Sequence, residues 1–151
     1  MIKIICIGKI KEKYWKEAID EYQKRLSKYT KIEIVEGNDY ALASPEINRK
    51  KEKEFILKNI DSKDFVITLE IEGHPYSSVD FSTELERIEM INSNLVFIIG
   101  GSDGIDEEIK KRSNQAISFS KMTFPHQLFR VLLLEQIYRA YKIRNHETYH
   151  K

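Results

Sequence analysis

Apolar and polar positions along the chain follow two periods in turn, one of two residues or unbroken, the other helical. Ile2–Gly8 is an apolar, β-branched run closed by a glycine, which predicts a buried strand. Over residues 12–29, Trp15, Ala18, Ile19, Tyr22, Leu26 and Tyr29 recur at helical spacing with Lys and Glu between them, which predicts an amphipathic helix. Lys31–Glu36 reads as a second strand. Ser44-Pro45 offers a capping hydroxyl and a proline at the first helical position, and the charged helix that follows, about 46–60, is expected on the surface. Phe65–Ile71 is a third strand, closed by Glu72-Gly73. Ser78 is placed to cap a helix whose Phe81, Leu85, Ile88 and Ile91 make one apolar stripe. Leu95–Ile99 is a fourth, wholly apolar strand that runs into Gly100-Gly101-Ser102-Asp103-Gly104. A short helix follows, with Asp106, Glu107 and Glu108 at its start and Lys110, Lys111 and Arg112 at its end, as the helix dipole favours. Ala116–Ser120 is a fifth strand, Lys121–Pro125 a loop and His126–Asn145 the last helix.

Strands alternating with helices predict an α/β fold: a mostly parallel sheet with helices on both faces. The 151 residues are expected to form a single domain, 1–151. In such sheets ligands sit beyond the carboxyl ends of the strands. The informative segments are therefore Leu69–His74, Gly100–Gly104 and Phe119–His126.

Composition narrows the chemistry. The chain is 41% apolar and 32% charged, a globular balance. Its one cysteine, Cys6, lies in an apolar run, so a buried thiol in a reduced, cytoplasmic setting is expected, with neither disulfide nor cysteine metal site. The first apolar run is too short for a signal peptide, and none approaches a membrane span, so no membrane association is expected. No His and carboxylate pair has metal-ligand spacing, so no metal is expected. His74 and His146 are expected on the surface. Neither a nucleophile elbow nor a dinucleotide or triphosphate fingerprint is present.

Four segments can carry function. Gly100 and Gly101 at a strand end let backbone approach a ligand, or simply make a tight turn. Phe119-Ser120-Lys121-Met122-Thr123-Phe124-Pro125-His126 mixes apolar groups with hydroxyls, as a cofactor pocket does. The same run also fits core phenylalanines with Thr123 or His126 as a cap. The last helix is apolar around most of its girth and so needs cover on two sides, which suggests a symmetric dimer. Arg130, Glu135 and Arg139 interrupt it, either as an internal pair or as functional groups. The closing Tyr149-His150-Lys151 is a frayed end or a pair of groups able to orient and deprotonate a ring N–H.

Together, Val66–Leu69 with Glu70-Ile71-Glu72-Gly73, Phe97–Gly104, the run Ser118–Ala140 and the closing Tyr149-His150 resemble the ribosomal RNA large subunit methyltransferase H family, enzymes of the SPOUT class. The resemblance runs the whole length and is most specific over Ser118–Ala140. It implies a C-terminal deep trefoil knot, a homodimer and S-adenosylmethionine as cofactor. It also implies methylation of N3 of a pseudouridine in large-subunit (23S) ribosomal RNA, on the assembled ribosome. It places the cofactor against Leu69, Gly100, Gly101 and the loop Phe119, Ser120, Lys121, Met122, Thr123 and Phe124. Leu69 would cover the adenine, and backbone groups of Phe119, Lys121 and Phe124 would hydrogen-bond it. It makes Arg139, Tyr149 and His150 the catalytic residues, with the tail completing the site across the dimer. Three other readings stay open: a methyltransferase of the same fold acting on another RNA such as transfer RNA, a non-catalytic nucleotide- or ribosome-binding module, and a purely structural dimer.

Charge totals hide a segregation. Lys plus Arg number 25 against 24 Asp plus Glu, a net +1. Yet residues 69–108 carry one Arg against ten acids, a local −9, and residues 109–151 carry nine basic residues against two acids, a local +7. Residues 9–31, with eight basic residues against four acids, are at +4. An RNA-facing surface is compatible with that distribution, and near-neutral totals argue against indiscriminate RNA binding.

Overall fold

The computed structural model describes residues 1–40 and 44–151. Its elements are β1 (Ile2–Ile7), α1 (Lys13–Leu26), β2 (Ile32–Gly37), α2 (Pro45–Lys58), β3 (Phe65–Pro75), α3 (Ser78–Ile91), β4 (Leu95–Ile99), α4 (Glu107–Arg112), β5 (Gln115–Ser118) and α5 (His126–Arg144). The strands form one sheet in the order β2-β1-β4-β3-β5, and every pairing is parallel. The α/β architecture with helices on both faces is as the alternating pattern predicts.

Strand periodicity sorts the core. Ile4, Ile67 and Phe97 face α1, α3 and α5, while Ile5, Val66 and Ile98 face Ile56 of α2 and Ile109 of α4. The steps β1 to β2 and β3 to β4 run one way across the sheet, and their helices α1 and α3 share a face. The steps β2 to β3 and β4 to β5 run the other way, with α2 and α4 on the opposite face. Right-handed crossovers require this split. Its consequence is functional: beyond β3 and β4 the chain leaves toward opposite faces, which opens a crevice at their carboxyl ends.

β3 is longer than the apolar run suggests. Leu69 pairs with Ile117 of β5, residues 70–73 leave the ladder, and His74 returns to pair with the same Ile117. Gly73 permits the return. A Cβ there would lie 2.6 Å from the Ile117 carbonyl carbon and 2.7 Å from its nitrogen, backbone atoms that cannot step aside.

Several local expectations are corrected. Ser77 rather than Ser78 caps α3, accepting a hydrogen bond from the Asp80 amide, and Ser78 instead donates to Gln136 at 2.8 Å. Ile91 is not part of the buried stripe; it is 72% exposed at the end of α3. α1 stops at Leu26, short of Tyr29, and β5 is Gln115–Ser118 rather than 116–120. The N-cap of α5 is Pro125, so neither Thr123 nor His126 caps it. Ser44 does cap α2, accepting from the Ile47 amide. That helix is less superficial than its charge suggests, because Asn48, Glu52 and Ile56 recur every fourth residue on an inward line.

α5 lies on the sheet face shared with α1 and α3 and buries Leu133, Leu134, Ile137, Tyr138, Ala140 and Tyr141. The cover expected from a second copy is therefore supplied in large part from within the chain. Leu128, Leu132, Glu135 and Arg139, spaced along one side, remain half-buried. Cys6 is fully buried, and that burial pushes its thiol up to about 12. No described helix is long and apolar enough to cross a membrane.

Candidate functional site

The three segments picked out by their position after β3, β4 and β5 converge on one cavity of about 490 Å3. Leu69 and the excursion Glu70–Glu72 form one wall, Ile99, Gly100, Gly101 and Ser102 the second, and Phe119, Ser120, Met122, Thr123 and Phe124 the third. Lys121 is the exception among the expected cofactor residues: its side chain is exposed and it does not line the cavity. Both neighbours border the cavity, Ser120 half-buried and Met122 74% exposed at its rim, and the Met122 amide donates to the Ser120 hydroxyl at 2.9 Å.

The walls are made differently. Phe119 and Phe124 each pack against Phe129 of α5, with ring centroids 5.2 and 6.1 Å apart, so an aromatic face lines the loop side. On the β4 side the chain turns through Gly101–Gly104, closed by the Gly104 amide donating to the Gly101 carbonyl at 3.1 Å, with Gly104 at φ +85°. A Cβ on Gly100 would fall 2.7 Å from Cγ1 of Ile105, and one on Gly101 would fall 2.7 Å from Oε1 of Glu52. Side chains at these two positions would therefore collide with the layer beneath the loop. Behind it Asp103 is fixed by the Asn48 amide at 2.9 Å and by Arg49, which donates to its carbonyl. Glu52 is 3% exposed, and burial, with Asp39 and Asp103 nearby, pushes its carboxyl up to about 7.

Sequence reasoning did not select Ile105, Lys110 or Phe129, which also line the cavity. Lys110 reaches Glu70 at 3.4 Å and ties α4 to the excursion after Leu69. They reach the cavity from outside the three selected segments: Ile105 from the stretch before α4, Lys110 from α4 and Phe129 from α5. His126 lines the cavity at the start of α5, where burial lowers its pKa and favours the neutral ring.

The second group of expected residues forms a cluster of its own. Glu135 is its hub: it accepts from Arg139 Nη2 at 2.9 Å and from the Tyr149 hydroxyl at 2.8 Å. The Arg139 guanidinium lies over the Tyr149 ring, 4.6 Å from its centroid, and its Nη1 is 3.1 Å from His150 Nδ1. A guanidinium only donates, so Nδ1 is the acceptor there, and a neutral His150 ring carries its proton on Nε2. The tail is not frayed. Tyr149 packs edge-on against Tyr138 at 5.0 Å, and Glu147 holds both Tyr29 and Lys142. Burial and the Glu135 hydrogen bond push the Tyr149 phenol up to about 12, so it keeps its proton near neutral pH and acts as a donor rather than a base.

Arg139, Tyr149 and His150 do not line the cavity. Arg139 lies ten residues beyond Phe129 on the same helix, about 15 Å along its axis. Within one chain, then, the cavity and the tail cluster are separate sites.

The cavity's size and its aromatic and aliphatic walls suit a small cofactor with an apolar ring and a polar arm. A family model described as "Predicted SPOUT methyltransferase" matches residues 1–150. The chain belongs to the SPOUT methyltransferase family.

Proposed function

We propose that this protein transfers a methyl group from S-adenosylmethionine to N3 of a pseudouridine in large-subunit (23S) ribosomal RNA, acting in the cytoplasm as a homodimer on the assembled ribosome. The observation that carries the reading is the convergence of Leu69, the Gly100–Gly101 turn and the Phe119–Phe124 loop on one cavity, in a chain whose tail cluster stands apart from it.

Leu69 and the aromatic face of Phe119 and Phe124 would hold the adenine, and the glycine turn would admit the ribose and the amino-acid arm. When bound, the cofactor supplies a sulfonium-activated methyl electrophile. The protein's task is then alignment and proton management. For N3 of the base to accept the methyl group, its proton must leave to a base or to water. Arg139 is suited to stabilise the negative charge that develops on the flanking carbonyl oxygens. His150 is suited to orient the base through Nε2–H, and it can accept the proton only after Arg139 releases Nδ1. Tyr149 positions both by holding Glu135 and stacking on Arg139.

The distance between cavity and cluster supports a dimer in which one copy's tail reaches the other's cavity. The half-buried side of α5, Leu128 to Arg139, is the surface proposed to meet the second copy. Near-neutral total charge supports a substrate recognised by the shape of a folded ribosome rather than by bulk charge. The same reading includes a trefoil knot in the C-terminal third.

Radiolabelled methyl transfer tests the reading. Ribosomes from cells lacking this protein should accept one methyl group per large subunit. A chain truncated before Tyr149 should bind S-adenosylmethionine normally and transfer nothing. Full transfer by the truncated chain would remove the tail from the mechanism.

A further inference from the structure

A second recess, about 310 Å3, lies on the other side of the first turns of α5. Phe129 belongs to the methyl-donor cavity and the adjacent Arg130 to this recess, so the two share a wall. Ile10, Ile19 and Ile34 make its apolar sides. Its floor is a fixed ion pair: Arg130 is 2% exposed, donates through Nη1 to Glu36 Oε2 and through Nη2 to the Gly8 carbonyl at 3.1 Å. The Ile10 amide donates to the same Glu36 Oε2 at 3.0 Å. Among the described residues no hydrogen bond reaches Glu36 Oε1, while the side chain is 34% exposed toward the opening. The carboxylate is thus held in place with one acceptor oxygen left over, and Asp20 at the rim adds another.

The loop before α1 is organised by the same contacts. With Gly8 and Ile10 tied inward, Lys9 and Lys11 project to solvent on either side. Lys13, Lys16 and Tyr14 continue the edge, and Tyr14 is 63% exposed beside Trp15. Residues 9–16 carry four Lys against one Glu, a local +3.

Apolar walls suit the faces of a nucleobase, anchored acceptors suit its N–H edge, lysines suit phosphates and an exposed ring suits stacking. We propose that this recess receives an unstacked RNA base bearing N–H donors on its Watson–Crick edge, guanine above all, while Lys9, Lys11, Lys13 and Lys16 hold the flanking phosphates. The inference rests on the RNA-methyltransferase reading and adds a second nucleotide contact beside the target.

The test is fluorescence anisotropy of the full chain with labelled single-stranded RNA pentamers, UUGUU against UUUUU. The wild type should favour UUGUU about threefold or more. Glu36→Gln should erase that preference. Lys9→Glu with Lys11→Glu should weaken both pentamers at least fivefold and lower the salt slope by about 1.4, from roughly 0.7 per phosphate contact. Calorimetric affinity for S-adenosylmethionine should not change in the lysine variant. Equal affinity of the wild type for both pentamers, or an unaltered lysine variant, would overturn the site and leave the methyltransferase reading standing. The expected RNA results together with no methyl transfer to ribosomes would do the reverse.

Discussion

Glu135 accepts the Tyr149 hydroxyl hydrogen at 2.8 Å, a hydrogen bond that closes the C-terminal tail back onto α5 fourteen residues earlier. The same carboxylate holds Arg139, so one residue sets both the tail's position and the direction of the guanidinium. Glu135 is therefore a positioning residue for the proposed reaction.

Glu135→Gln keeps the shape but weakens the hydrogen bonds that the carboxylate accepts from Arg139 Nε and Nη2, Tyr149 and Gln136. Methyl transfer should fall at least tenfold with little change in S-adenosylmethionine affinity. Global stability should drop by about 1–2 kcal/mol, because glutamine keeps one acceptor oxygen and solvent reaches part of the site, so only a fraction of the roughly 1.5–3 kcal/mol worth of each hydrogen bond to a charged group is lost. Single-turnover kinetics beside calorimetry separates these effects. Equal losses in cofactor affinity and rate would mean that Glu135 acts through the fold.

Gly101→Ala should hinder the cofactor site. Its Cβ would lie 2.7 Å from Glu52 Oε1 and 3.1 Å from Ile7 Cγ2, and Glu52 is too buried to swing away freely. The turn must shift into the cavity. Overpacking of this kind costs about 1–3 kcal/mol, and cofactor affinity should fall at least tenfold. A variant that binds the cofactor with wild-type affinity would show that the turn does not shape the pocket.

Glu52 predicts a pH dependence of stability. Its folded pKa is raised from the ordinary carboxylate value to about 7, so its contribution is fully present below the unfolded pKa and is lost as pH rises from about 4.5 through 7. Glu52→Gln removes that penalty. It should stabilise the protein at pH 8 by about 2–3 kcal/mol and have little effect at pH 4. Denaturant unfolding at the two pH values checks it, and an equal effect at both would contradict a buried, titrating carboxyl.

Arg130 is buried against Glu36 and the Gly8 carbonyl; if it is removed the carbonyl loses this donor, while Glu36 keeps the Ile10 amide. Arg130→Ala should destabilise the fold by about 1–3 kcal/mol, from the Gly8 carbonyl left without its donor and the lost packing of the buried side chain. Lysine cannot reproduce the fork that serves two acceptors, so Arg130→Lys should recover only part of the loss. Full recovery would mean that the charge alone matters there.

The layered fold was legible because β1 is largely and β4 wholly apolar, β2 alternates, and α1 and α3 show a helical period. Ile4 and Ile5, or Phe97 and Ile98, point to opposite faces by strand geometry alone. The cavity was legible through the rule that ligands gather at the carboxyl ends of parallel strands, which singled out Leu69–His74, Gly100–Gly104 and Phe119–His126; the family resemblance narrowed these to Leu69, Gly100, Gly101 and Phe119–Phe124. Three features were not. The β3 excursion depends on Gly73 meeting the backbone at Ile117, a long-range contact with no local signature. Glu52 reads as surface charge because periodicity cannot say which side of a mostly charged helix packs. The separation of Arg139, Tyr149 and His150 from the cavity follows from the length of α5, a distance that a list of site residues does not contain.

Mass-spectrometric mapping of large-subunit ribosomal RNA from cells with and without this protein tests the central claim most directly. The account predicts that one pseudouridine loses a single methyl group when the protein is absent and regains it when the wild-type chain is returned. Ribosomal RNA whose modifications are identical with and without the protein would contradict it.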